Sequence, residues 1–287
     1  MKTLFPHGSQ ILIAAQTGIR LSVTPPPTAS FLSQFLPATL SGEIPAAVGD
    51  LPYLQNLVLR KLTNITGPVQ PAIAKLVHLK FLRLDWLNLT GTVPDFLSQL
   101  KNLTFLDLSF NGFSGTIPSS LALLPNLGAL HLDRNKLTGS IPESFGAFKG
   151  SVPDLYLSHN QLTGEIPASL GNMDFSVIDL SRNQLVGDAS MLFGPNKTTN
   201  NVYLSRNLFE FNLSNVVFPS TIENLDINHN KIFGSIPPQM TQLPLQTLNV
   251  SYNRLCGQIP VGGKLQSLDS SSYFHNKCLC GAPLANC

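Results

Sequence analysis

Six aspartates recur along the chain at near-regular intervals: Asp85, Asp107, Asp133, Asp154, Asp179 and Asp226. Aromatic and basic residues are threaded between them, at Arg83, Phe105, His131, Tyr156 and Tyr203. A second series is basic: Arg134, His159, Arg182, Arg206 and His229. Two kinds of recognition suit these residues. Convergent carboxylates with aromatic anchors fit a basic protein surface. Arginines at a regular pitch fit a polyanion, because each guanidinium donates two parallel hydrogen bonds to a carboxylate. The plainer readings are acids that keep a sheet solvated and basic residues that bond carbonyls at a turn. Catalysis is a poor fit. Asp107 and Asp133 could come within the roughly 5–9.5 Å of a glycosidase pair, but an open sheet has no cleft to exclude water or raise the pKa of an acid. There is no glycine-rich phosphate loop, no ordered Ser/His/Asp signature and no metal-ligand spacing, so the chain reads as a non-enzyme without cofactor or metal.

The positioning elements follow from the apolar residues around these series. Pairs recur at Leu57/Leu59, Leu82/Leu84, Leu106/Leu108, Leu130/Leu132, Leu155/Leu157, Ile178/Leu180, Val202/Leu204, Leu225/Ile227 and Leu248/Val250. Each pair has the period-2 alternation of a short strand, which sends both apolar residues to one face and the residues between and after them to the other. Asparagine follows at Asn111, Asn135, Asn160, Asn183, Asn207, Asn230 and Asn253, and Gly-x-Ile/Val-Pro follows that at Gly42, Gly91, Gly115, Gly139, Gly164, Gly234 and Gly257. The pattern L-x-x-L-x-L-x-x-N-x-F-x-G-x-I-P over 103–118 is a plant-type leucine-rich repeat. It predicts an α/β solenoid: a curved, right-handed superhelix with a parallel β-sheet on the concave face and short helical turns on the convex side. The acidic and aromatic columns then share the concave face, with a negative bias, and the basic series lies at the strand exits. The units around Gly187 and Asn207 lack the Gly-x-Ile-Pro signature, which predicts irregular convex sides there.

Three segments are expected: a divergent, poorly ordered stretch over 1–39, the repeats over 40–255, and a cap over 256–287. Net charge is +2 with a pI near 8.3, too balanced to imply nucleic acid. No run approaches the roughly 20 apolar residues of a membrane span, and the short apolar run 11–15 falls short of a signal-peptide core. All four cysteines lie at the C-terminal end, at Cys256, Cys278, Cys280 and Cys287. They are expected to staple the cap in an oxidising compartment. Cys278 and Cys280 are too close to pair, which leaves two connectivities. N-x-S/T sequons at Asn64, Asn88, Asn102, Asn196, Asn212 and Asn249 agree with secretion.

The stretches LSGEIPAAVGDLPYL (40–54), TGPVQPAIAKL (66–76), GTVPDFLSQLKNLTFLDLSFN (91–111) and CLCGAPL (278–284) resemble plant polygalacturonase-inhibiting proteins. The likeness runs from about residue 40 to the end. It implies a protein secreted to the cell wall that blocks fungal endopolygalacturonases and binds pectin. It implies that acids of the concave columns, matched here by Asp107, Asp133 and Asp179, meet the enzyme. It also implies the pairing Cys256–Cys278 and Cys280–Cys287. The protein-binding set is then Arg83, Asp85, Phe105, Asp107, His131, Asp133, Tyr156, Asp179, Tyr203 and Asp226. The pectin-binding set is Arg134, His159, Arg182 and Arg206. Residues 1–39, which hold no cysteine, are expected to stand in place of the family's signal peptide and cysteine-bearing cap, so the edge of the first repeat is expected to lie open. The alternative function is a receptor-like or peptide-binding wall protein. A third, an ice-surface or wall-structural protein, would need flat, regular Asn or Thr ladders.

Overall fold

A computed structural model describes residues 2–4, 10–14, 19–23 and 41–287. The chain forms two compact units, one of residues 1–138 with 148–153 and the other of residues 139–147 with 154–287. Both are leucine-rich-repeat stacks.

In unit 1 the repeat strands Leu54–Arg60, Phe81–Asp85, Phe105–Asp107 and Ala129–His131 pair in parallel. Their apolar pairs face inward: Leu82, Leu84, Leu106 and Leu108 are each fully buried. Burying a leucine contributes about 1.5–3 kcal/mol, but a single rung cannot bury both sides of its own row. Stacking neighbours supplies the other side. The chain then crosses to a second parallel sheet, Thr66–Gly67, Asn88–Thr92, Gly112–Gly115 and Lys136–Gly139. Short 3-10 turns such as Asp95–Gln99 and Ser119–Leu123 return it to the next strand.

The edge of the first repeat is not open. Strand Ile19–Val23 lies antiparallel on Leu54–Arg60, and Gln10–Ala14 and Lys2–Leu4 continue outward from it. The pairing of Ile19–Val23 satisfies the backbone groups that the edge of Leu54–Arg60 would expose. The rest of the 1–39 expectation falls outside the described residues.

In unit 2 the strands Asp154–Tyr156, Val177–Asp179, Asn201–Tyr203, Asn224–Asp226 and Thr247–Asn249 pair in parallel. The two units without Gly-x-Ile-Pro differ as expected. Their 3-10 turns, Ser190–Leu192 and Leu213–Asn215, have three residues, against five in Ala168–Asn172 and Pro238–Gln242. Pro167 and Pro237 precede the longer turns, where an extended, pre-set φ launches the helix; Ala189 and Asn212 precede the shorter ones.

Buried asparagines carry the polar load of the turns. Asn183 Nδ2 donates to the carbonyls of Leu180, Ser181 and, one repeat back, Leu157, while its Oδ1 accepts from the N–H of Leu162. Asn135 makes the equivalent four bonds in unit 1. One amide thus pairs four backbone groups that would otherwise be buried without partners.

The cap is bonded Cys256–Cys278 and Cys280–Cys287, the pairing the resemblance implied. It also contains a further rung that the sequence reading did not count. Asn276 repeats the asparagine role, donating to Val250 and Tyr273 carbonyls and accepting from Leu255 N–H. Tyr273 is fully buried beneath it, its hydroxyl donating to the Leu265 carbonyl. Burial pushes the Tyr273 phenol up to about 12.

Candidate functional site

The outward columns of unit 1 hold a chain of ion pairs. Arg60 Nε meets Asp85 Oδ2 at 3.0 Å; Arg83 Nε meets Asp85 Oδ1 and Asp107 Oδ2, each at 3.0 Å. The register makes this possible, since Arg60 stands beside Asp85 and Arg83 beside Asp107 on adjacent strands. The side chains of Asp85 and Asp107 are 1% and 2% exposed, whereas those of Arg60 and Arg83 are 44% and 28% exposed. This corrects the sequence reading, which counted Asp85 and Asp107 among acids offered to a partner and gave the whole face a negative bias. In unit 1 Asp85 and Asp107 are roofed by arginines, so what these rungs present to solvent is guanidinium, whereas Asp133 lies beside His131.

Asp107 has a second task. Its Oδ1 accepts from the Ser109 N–H at 3.0 Å and from the Ser109 hydroxyl at 2.6 Å. The same turn recurs in unit 2, where Asp179 holds Ser181 at 3.0 and 2.7 Å, and Asn249 holds Ser251 at 3.1 and 2.7 Å. Asp226 accepts from both nitrogens of Asn228. One carboxylate oxygen of each acid is therefore committed to the strand exit. The recurring D-L-S, at 107–109 and 179–181, was the available sequence signal for this turn.

Around the ion chain of unit 1 the rings pack in two rows. Phe81 stacks on Phe105 at 4.2 Å between centroids, with His131 tilted at 5.2 Å. His131 Nδ1 lies 3.8 Å from Asp133 Oδ1. On the exit side Trp86 stacks on Phe110 at 3.9 Å, and the Arg134 guanidinium lies 4.8 Å from the Phe110 centroid.

Unit 2 arranges its face differently. Asp179, Tyr203 and Asp226 stand in register on three adjacent strands, and all three are half-buried. Burial and the two flanking carboxylates raise the Tyr203 phenol pKa, so its hydroxyl keeps its proton as a donor. Asp154 is partly occupied, its Oδ1 accepting from Val177 N–H. Tyr156 is half-buried on the first strand of this sheet.

The basic series occupies one structural position. Arg134, His159, Arg182, Arg206 and His229 all have φ between 51° and 56°, the left-handed region, and so do Lys61, Trp86, Phe110, Tyr252 and His275, with φ between 53° and 57°. A bulky residue held there costs of order 1–3 kcal/mol. Every rung nonetheless carries a long or planar side chain at this point, where glycine or asparagine would be cheaper. The sequence reading found half of this column and missed the rest because it followed charge rather than backbone position. In unit 2, Arg182, Arg206, His229 and Tyr252 line a hollow of about 460 Å³ together with Asp226, Asn249, Ser251 and Ser271. His229 stacks on Tyr252 at 4.0 Å, and Tyr252 on His275 at 4.2 Å. Burial lowers the His229 pKa, and Arg206 and Arg182 lower it further against the opposing pull of Asp226.

The six sequons fall in different settings. Asn64, Asn88, Asn102 and Asn196 are exposed. Asn212 caps a 3-10 turn by accepting from Ser214 N–H, and Asn249 lies on the sheet face within the hollow. Among the described residues no helix is long and apolar enough to cross a membrane.

Stacked rungs with an ordered sheet face, and beside it a column of side chains held at positive φ, half-buried or exposed, define a leucine-rich-repeat protein. The Leucine Rich Repeat family model matches residues 102–124, 126–148, 154–173, 221–243 and 244–263. The chain is 76% identical over 248 residues to a polygalacturonase inhibitor of Pyrus communis, covering 86% of this chain and 75% of that one. It is 70% identical to polygalacturonase inhibitor 1 of Arabidopsis thaliana over the same shares. The chain belongs to the polygalacturonase-inhibitor family of leucine-rich-repeat proteins. Among solved structures it resembles a plant ice-binding protein, with 54% identity and a TM-score of 0.85 over 86% of this chain and 80% of that one.

Proposed function

We propose that this protein inhibits fungal endopolygalacturonases in the plant cell wall by occupying the approach to their active clefts. The observation that carries the reading is its 70–76% identity to named inhibitors along 86% of its length. In unit 1 the proposed contacts are Arg83, Phe105, His131 and Asp133, with Asp85 and Asp107 holding Arg83 in place. In unit 2 they are Tyr156, Asp179, Tyr203 and Asp226. An enzyme that grips a polyanion carries a basic cleft rim, and the half-buried acids of unit 2 complement it. The disulfides fit secretion into an oxidising compartment. Pectin is a second ligand of the same protein: Arg182 and Arg206, one repeat apart beside the unit 2 hollow, would each take a galacturonate carboxylate, with Arg134 and His159 as further rungs.

The test is reducing-sugar release from polygalacturonate by a panel of fungal endopolygalacturonases, with and without the protein. Slowed hydrolysis by at least one enzyme is expected. Tyr203→Ala should chiefly speed dissociation, and Asp133→Asn should slow association more at low salt than at high salt. Folded protein that slows no enzyme in a broad panel refutes the reading.

A second activity, adhesion to ice, is favoured by exposed rows of threonine and serine hydroxyls on the second sheet of unit 1. The 54% identity to the plant ice-binding protein supports it.

A further inference from the structure

We infer that the ice-adhesion face is the outward surface of the second sheet of unit 1, formed by Thr66, Thr90, Thr92, Ser114, Thr116 and Thr138. The assignment rests on the ice reading above and is separate from the sheet that carries the inhibitor columns.

Alternation sets the face. Leu89, Phe113 and Leu137 point inward and are fully buried, so the residues either side of them point outward. The hydroxyls of Thr66, Thr90, Ser114 and Thr138 follow the repeat, and Thr92 and Thr116 start a second row two residues on. Strand pairing is offset by two residues, with Thr92 beside Ser114 and Thr90 beside Gly112, so the rows run obliquely and interleave. The Ser114 hydroxyl reaches to 3.5 Å from the Gly91 carbonyl of the preceding rung.

Three features favour an ordered water lattice over a protein or polysaccharide. The first is pitch: Thr92 and Ser114 stand in register on neighbouring strands about 4.8 Å apart, close to the oxygen repeat of hexagonal ice. The second is chemistry. The six residues offer hydroxyls, most with a methyl alongside, and neither an aromatic anchor nor an arginine, the groups that dominate protein interfaces. Two charged side chains adjoin the hydroxyls, Lys136 beside Ser114 and Glu43 against Gly67. The third is relief. Between the hydroxyls sit Gly91 and Gly115, at φ 86° and 76°; a Cβ at Gly115 would come within 3.1 Å of the Thr92 methyl. The face keeps a low profile because nothing projects there. β-Branched threonine has few rotamers to lose, so the array is pre-organised for a lattice.

Asn88 stands on this face beside Thr66 and heads a sequon completed by Thr90. A glycan there would hold a crystal surface away. The test therefore uses secreted full-length protein carrying Asn88→Gln, assayed for inhibition of ice recrystallisation and for ice shaping. Activity at micromolar concentration is expected. Adding Thr92→Lys with Thr116→Lys should raise the concentration needed by roughly tenfold or more, a 1.4 kcal/mol loss, while Gln99→Lys, exposed on a 3-10 turn, should leave it unchanged. Thr92→Val with Thr116→Val, which keeps the shape and removes two hydroxyls, serves if the lysine pair does not fold by circular dichroism. If the Asn88→Gln protein has no effect on ice, the ice reading falls and this face with it. If it is active and the Thr92/Thr116 variants keep full activity, the face is wrong while ice adhesion stands.

Discussion

In unit 1 two arginines lie across two buried aspartates, with stacked rings on either side; in unit 2 no basic residue stands in the strand columns at all, and Asp179, Tyr203 and Asp226 face solvent half-buried. The same repeat geometry underlies both. What differs is a residue or two per rung. Arginine at positions 60 and 83 places a guanidinium directly over the next strand's carboxylate, because parallel register brings Arg60 to Asp85 and Arg83 to Asp107. Without those arginines the acids of unit 2 keep an oxygen for a partner. A column of aspartates is therefore no guide to surface charge until the neighbouring strand is known. Unit 1 ties Asp85 and Asp107 into ion pairs, while among the described residues Asp179 and Asp226 of unit 2 have no such cover.

The comparison makes its largest forecast in stability. Asp107→Ala removes an acceptor from Arg83 and two bonds from Ser109 in a buried setting. Breaking one side of a buried pair costs about 3–5 kcal/mol; partial exposure of Arg83 reduces this to roughly 2–4 kcal/mol. Asp179→Ala removes the same two turn bonds but no ion pair, and should cost about 0.5–1.5 kcal/mol. Urea unfolding of the two variants measures the gap. Equal losses would mean that the arginine roof adds nothing to unit 1.

Inhibition should reverse that order. Asp179→Asn keeps the acceptor for Ser181 and removes the charge, so it should weaken inhibition with little change in stability. Asp85→Asn should lower stability and leave the association rate nearly untouched, because its carboxylate is 1% exposed. Stopped-flow association at two salt concentrations distinguishes them. A larger rate change at Asp85 than at Asp179 would reverse the assignment of roles.

How far the sequence carried can be judged on these same residues. The repeat, the inward leucines and the asparagine rungs were all readable, since period-2 alternation and a fixed pitch are properties of the chain itself. The disulfide pairing came with the family resemblance. The roofing of Asp85 and Asp107 was not readable, because alternation says that a side chain points outward but not what lies on top of it. The exit column was half readable: Arg134 and Arg182 stood out by charge, while Trp86, Phe110 and Tyr252 share their left-handed backbone and were overlooked. The antiparallel strand Ile19–Val23 lies outside the repeat pattern, so periodicity offered no signal for it.

Polygalacturonate binding sharpens the contrast from the other side. Replacing Arg182 and Arg206 together by Gln should weaken binding in unit 2 and flatten its salt dependence, since those charges are exposed and screened. The Arg134→Gln change in unit 1 should have a smaller effect, because that guanidinium is already engaged by the Phe110 ring. Binding unchanged in the double variant would leave the arginines as helpers at the turn.

The smallest effect is a protonation. His229 sits at the rim of the unit 2 hollow, its Nδ1 2.6 Å from the Asn228 Oδ1 and its ring against Tyr252. Burial, Arg206 and Arg182 hold its folded pKa below the ordinary 6.5, with Asp226 pulling the other way. The unfolded chain therefore takes up this proton first as pH falls. Its contribution to stability is complete above 6.5, declines as pH drops from 6.5 towards the depressed folded value, and is level below it. Over that window the hollow carries the charges of Arg182, Arg206 and Asp226; the imidazolium joins the arginines only at more acidic pH, where polygalacturonate binding should tighten. Titrating the His229 ring protons by NMR should give a midpoint under 6.5, and Arg206→Gln should move it upward by removing the nearest like charge. A midpoint at or above the ordinary value, or one that ignores Arg206, would show that the exit column of unit 2 is too open for its members to feel one another.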